Sequence, residues 1–138
     1  MPSPNPDVRA FLDANVLFSA AYREQAGLAV LWKLQRVRLL TSAYAAQEAA
    51  SNLSDEDQHS RLRSLLRKVA TVESVSGERA ILGIVLPDKD RPILAAAVEA
   101  KADFLLTGDV NHFGMYFNKT ICGVRVLRPA EFLKLFLE

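Results

Sequence analysis

The chain has 138 residues, 17 basic and 16 acidic, a net charge of +1, half of its residues hydrophobic and 24% charged. That composition suits one domain with its own core, excludes disorder, and leaves no bulk electrostatic pull on nucleic acid, so any such contact must come from local patches. A single cysteine, Cys122, excludes an intramolecular disulfide and a thiolate metal cluster.

Residues 1–7, with Pro2, Pro4 and Pro6, read as a short extended tail, and 8–138 as a single domain. The start lacks a basic region followed by an apolar one, so no signal peptide is expected. Strictly apolar runs reach only about six residues against the roughly 18 needed to cross a bilayer. The expectation is a soluble, cytoplasmic protein with no membrane contact.

In chain order, residues 8–12 read as a buried strand ended by Asp13, which can cap a short helix over 14–21. Apolar positions 28, 31, 32 and 34 give helical spacing across 27–36. A strand is expected at 38–41, then a helix over 43–53 capped by Ser42 and carrying Glu48. A further helix over 55–68 buries Leu62, Leu65 and Leu66 with Val69; Arg61, Arg63, Arg67 and Lys68 read as a solvated basic face, with a nucleic-acid track as the alternative, and His59 as a solvated helix residue. Strand alternation marks 69–75, while 77–86 fits helix or strand. The run 87–92 turns into a helix reaching about 101, with Pro92 tolerated only in its first turn. Residues 104–107 form the next buried strand, 108–114 a loop, 124–127 the last strand, and Pro129 opens a C-terminal helix. Cys122 reads as a small buried hydrophobe. Strands alternating with helices predict an α/β three-layer sandwich, a short central parallel sheet flanked by helices.

In such sheets ligands collect at the carboxyl ends of the strands, where Asp13 and Asp109 fall. A carboxylate at the end of a buried strand is costly unless something positive lies beside it, and neighbouring carboxylates raise each other's pKa. With Glu48 and Asp90 the set numbers four, and a divalent cation is the simplest way to keep it ionised; phosphodiester hydrolysis is the chemistry that needs one. Each residue also has a plainer reading: Asp13 as a helix cap, Asp109 as a turn residue after Gly108, Asp90 as a cap to the Pro92 helix in competition with Asp88, Glu48 as a solvated helix residue. His112 reads as a loop histidine, with contact to metal or phosphate as the alternative. Lys89 and Arg91 flank Asp90 and are candidates for contacts to substrate phosphates, with simple charge balance as the plainer reading.

Four segments in order carry a family resemblance: Leu-Asp13-Ala-Asn15-Val-Leu; Ser42-Ala-Tyr-Ala-Ala-Gln-Glu48; Leu-Pro-Asp88-Lys-Asp90-Arg-Pro-Ile-Leu-Ala-Ala-Ala97; and Ala102-Asp-Phe-Leu-Leu-Thr107-Gly-Asp109-Val-Asn-His112-Phe. Together they resemble the PIN domain, the small nuclease fold of toxin–antitoxin toxins and RNA-processing nucleases. The resemblance implies cleavage of RNA with Mg²⁺ or Mn²⁺, the four acids acting as metal ligands and Asn15 and Thr107 as polar supports. It also raises the expectation of an antitoxin partner and of a homodimer, the latter through apolar faces around Trp32 and over 132–137, although Trp32 itself reads as core. Two other functions compete. A PIN-like module that binds without cutting would not need the acidic set. Phosphoryl transfer through an aspartyl-phosphate on Asp13 would want a second acid two residues on, where Asn15 stands.

Overall fold

A computed structural model of the chain describes residues 7–73 and 77–136. The apolar run Val8–Leu12 is strand β1, and its last three residues, Ala10, Phe11 and Leu12, are wholly shielded from solvent. Burial on both faces is what a central strand of a parallel sheet requires, which is why this run shows no polar alternation. The other strands are β2 (Val37–Ser42), β3 (Ala70–Val72), β4 (Phe104–Leu106), β5 (Thr120–Ile121) and β6 (Val124–Leu127). They lie in the order β3-β2-β1-β4-β6-β5, all parallel except β5, which runs antiparallel to β6. The chain thus winds from β1 outward through β2 and β3, then crosses back to place β4 on the other side of β1. The gap beyond the carboxyl ends of β1 and β4 is the topological switch point of the sheet.

Several helices start where the sequence offers a cap. The Asp13 carboxylate accepts from the backbone N–H of Ala14 (2.6 Å) at the start of α1 (Ala14–Ala21). Ser42 accepts from Ala45 (3.1 Å) ahead of α2 (Ala43–Asn52), whose small Ala45 and Ala49 are fully buried. Asp55 and Gln58 exchange hydrogen bonds in a capping box that opens α3 (Glu56–Leu66). Arg61 and Gln58 of α3 then donate to the carbonyls of Ala21 and Tyr22, which α1 leaves unpaired at its C-terminal end. Arg61 is therefore tied to α1, not part of a free basic face. His59 likewise departs from the solvated reading, with Nε2 3.0 Å from the Leu53 carbonyl. Helix α4 (Arg91–Glu99) carries Pro92 in its first turn and buries Ile93 through Ala97 against the sheet.

The structure departs from the sequence-based expectations at several other points. The segment 27–36 is a 3₁₀ run over Gly27–Lys33, and 77–86 holds a 3₁₀ run over Gly77–Ile81. Residues 110–113, expected as loop, form the short helix α5 (Val110–Phe113), capped by Asp109 accepting from His112 N–H (3.1 Å). Strand β5 was not expected; it pairs with β6 through the two-residue turn Cys122-Gly123, at φ +51° and +89°. Cys122 is exposed there, not buried. The tail expected over 1–7 falls almost wholly outside the described residues; the strand expected over 69–75 is shorter, ending at Val72 before Glu73, with 74–75 outside the described residues.

Helix α6 (Pro129–Phe136) closes the fold, its Phe132 fully buried, edge-to-face with Phe104 and tilted against Phe136 at ring separations of 5.1 and 4.5 Å. Trp32 packs against the core and donates from Nε1 to the Leu65 carbonyl (3.0 Å). Of the two apolar faces expected to mediate self-association, Trp32 and Phe132 pack inward, while Leu135 of α6 stays exposed. Among the described residues, no helix is long and apolar enough to cross a membrane.

Candidate active site

Asp13 leaves β1 at the switch point and is 4% exposed. One oxygen of its carboxylate caps α1; the other accepts from the hydroxyl of Thr107 (2.8 Å) and from the amide of Asn15 (3.3 Å). Thr107, fully buried, follows β4 directly, so the hydrogen bond ties the ends of the two adjacent strands together. Asn15 also donates to Thr107 (3.2 Å) and accepts from Gly108 N–H (2.9 Å), and Thr107 in turn accepts from Asp109 N–H (3.1 Å). Burial pushes the Asp13 carboxyl up to about 6, against the hydrogen bonds from Thr107 and Ala14; the charges of Asp90 and Asp109 push it the same way as burial. The plainer reading of Asp13 as a cap is true, but it does not account for a buried charge facing two others.

Asp90 is 6% exposed and stands just before α4 without capping it. Burial raises its pKa; the imidazole of His112 opposes that shift and the charge of Asp109 adds to it. His112 is not a free loop histidine: its Nδ1 lies 2.7 Å from Asp90 Oδ2 and 2.7 Å from Asp109 Oδ2. Neither Nδ1 nor Asp90 Oδ2 makes a directed hydrogen bond, although both are buried. One donor atom from each of Asp90, Asp109 and His112 falls within 4.8 Å of the others. Buried polar atoms left orphaned in this way are costly unless a cation joins them.

Glu48 projects from α2 into the same cleft, of about 390 Å³, which is lined also by Asp13, Asn15, Phe18, Lys89, Asp90 and Asp109. The four acids expected from the sequence are therefore brought to one cavity, and Asn15 and Thr107 are hydrogen-bonded to the first of them. Tyr44 donates to the Lys89 carbonyl (2.9 Å) and fixes the segment that carries Lys89 and Asp90. Its own pKa is raised, by burial first and then by Glu48. Two expected residues are not brought in. Asp88 is exposed and outside the lining, and Arg91 turns away to pair with Glu78 and the Ile84 carbonyl. The donor set of carboxylates with one imidazole fits a divalent cation that prefers oxygen ligands, Mg²⁺ or Mn²⁺.

A mostly parallel sheet with an acidic cleft at its switch point defines an α/β domain whose cleft lies where such sheets bind their ligands. The chain belongs to the PIN domain family: the family model described as PIN domain matches residues 9–111. Its fold is similar to that of VapBC2 from Rickettsia felis bound to a DNA fragment from their promoter, at a TM-score of 0.61 and 14% identity over 88% of this chain and 98% of that one. A stretch of 65 residues, 47% of this chain, is 42% identical to a porphobilinogen deaminase of Cytophaga hutchinsonii; it spans 20% of that protein's length.

Proposed function

We propose that the protein is a metal-dependent endoribonuclease and the toxin of a toxin–antitoxin pair. The observation that carries this reading is the meeting of Asp13, Glu48, Asp90 and Asp109, from four separate segments, in one cleft at the ends of β1 and β4. These carboxylates would hold Mg²⁺ or Mn²⁺, and the orphaned Asp90 Oδ2 supports a cation there. Such a cation supplies polarisation of the scissile phosphate and lowers the pKa of the attacking water. The remaining work belongs to the side chains. Thr107 and Asn15 hold Asp13 in one orientation, so that its free electron pairs face the cleft. A carboxylate of the set accepts the proton lost by the water. Lys89, at the mouth of the cleft, binds a phosphate flanking the scissile one.

Likeness to the VapBC2 fold supports an antitoxin as protein partner. Residues 8–138 acting as a single cytoplasmic domain, and a homodimer, complete the reading. The test is cleavage of RNA by purified protein with Mg²⁺ or Mn²⁺, abolished by EDTA and restored by adding the metal back. Undiminished cleavage in chelator would sink the metal mechanism, and tight RNA binding without cleavage would make the protein a binding module.

A further inference from the structure

The proposed metal centre as read so far is made of carboxylates, yet the tightest group of donors in the cleft includes a nitrogen. His112 sits on the first turn of α5, and its backbone N–H already serves the cap by donating to Asp109 Oδ1. The imidazole is not needed for that cap. Instead it turns Nδ1 toward the second oxygen of Asp109 and toward Asp90 Oδ2, at 2.7 Å from each. One ring N–H cannot point at two oxygens at once, and neither contact is a directed hydrogen bond for Nδ1, which is left buried and unpaired. Asp90 Oδ2, on a side chain more than nine-tenths buried, is unpaired as well. Adjacent ligands on an octahedral cation at about 2.1 Å stand about 3 Å apart, close to the separations found here. Two buried atoms without a directed hydrogen bond, His112 Nδ1 and Asp90 Oδ2, thus converge with Asp109 Oδ2.

We propose that His112 Nδ1 is a direct ligand of the divalent cation, together with Asp90 Oδ2 and Asp109 Oδ2, and that it makes the centre selective for Mn²⁺ over Mg²⁺. The inference rests on the metal-dependent reading above and sharpens it. Mg²⁺ demands hard oxygen ligands, whereas imidazole favours first-row transition ions, so one nitrogen among carboxylates tilts the site toward the latter. Asp13, with both oxygens engaged by Ala14, Thr107 and Asn15, then lies beside this trio and faces the water and phosphate more than the ion.

The experiment uses the untagged full chain, stripped with chelator and loaded with Mn²⁺. Pulsed electron paramagnetic resonance of the bound ion should show ¹⁴N modulation from a coordinated imidazole. The chain has two histidines, so the signal should vanish in His112→Gln and persist in His59→Gln. By calorimetry, His112→Gln should weaken Mn²⁺ binding by about tenfold or more while moving Mg²⁺ binding by no more than about twofold. Wild-type protein that binds Mn²⁺ with no nitrogen modulation overturns the role of His112 and leaves the carboxylate centre standing. Wild-type protein that binds neither ion overturns both. The wild-type spectrum decides the matter even if the His112 variant does not fold.

Discussion

Asp13 is the residue on which fold and site make opposing demands. Its carboxyl titrates at about 6 in place of its ordinary 3.8, because burial penalises the charge more than Thr107 and Ala14 stabilise it. A raised carboxyl pKa means that the folded state binds the proton more tightly than the unfolded chain. Stability therefore falls as pH rises from about 3.8 to about 6, and the penalty is fully present above that window. The displacement amounts to about 3 kcal/mol at most. Asp13→Asn keeps the shape and the α1 cap but removes the charge. The metal-free variant should be more stable than wild type at about pH 7.5, and the gain should disappear near pH 4. Its cleavage activity should drop by about a hundredfold or more. Denaturant titrations in chelator at the two pH values, beside an RNA cleavage assay, check both. Equal stability at both pH values and intact activity would reduce Asp13 to a cap. Asp13, Asp90 and Asp109 were legible because each ends a strand or opens a helix, whereas Glu48, midway along α2, was legible only through its segment 42–48. The place of His112 beside Asp90 and Asp109 is not legible in the sequence, since it depends on α5, whose single turn over 110–113 has too few residues to show a period. Arg91 was overvalued: adjacency to Asp90 says nothing of direction, and at the start of a helix the next side chain points elsewhere.

At the scale of elements, the turn between β5 and β6 and the packing of α6 lend themselves to measurement. Cys122 and Gly123 both hold positive φ, the pattern of a type I′ turn, in which Asn-Gly is the preferred pair. Cys122→Asn should therefore stabilise the fold by about 0.5–1 kcal/mol, the scale on which relief of backbone strain acts. It also removes the chain's one thiol. A fall in stability would show that the Sγ contact with the Ala80 carbonyl at 3.6 Å matters more than the backbone. Phe132→Ala should cost about 3–5 kcal/mol by emptying the aromatic cluster beneath α6, whereas Leu135→Lys on its exposed side should cost less than about 0.5. Thermal melts of the two variants separate an α6 that is core from one that is mainly a contact surface. The strands and long helices of the parallel part were readable, since burial on two faces and clear caps leave strong marks. Strand β5, of two residues, was not: so short a strand shows no alternation and exists only because a tight turn lays it against β6. The run at 27–33 kept helical spacing, but its 3₁₀ form ends at an extended Leu34, and no local signal in the sequence set that end.

For the whole molecule, a net charge of +1 sets how RNA would be held under the proposed function. With no global attraction and an acidic cleft, the phosphates are gripped at few points, so log Kd should change only shallowly with log salt, by a slope of about 3 or less. Lys89→Ala should reduce that slope by about one and weaken all sequences alike. Filter binding of a non-cleaved RNA over a range of salt would show it; a steep slope that ignores Lys89 would locate the grip elsewhere. The borders of the sheet bear on how copies of the chain meet. Its outermost strands, β3 and β5, span three and two residues, the shortest exposed ladders it has apart from β4 at its centre. Among the described residues, a second copy seeking to extend the sheet would meet only these short edge strands and the part of β2 that β3 leaves uncovered, Val37–Leu39. Lateral polymerisation, the route by which open sheets pass into fibrils, is blunted at both rims. Any pairing of subunits has to be written in side chains, where it can be specific and reversible.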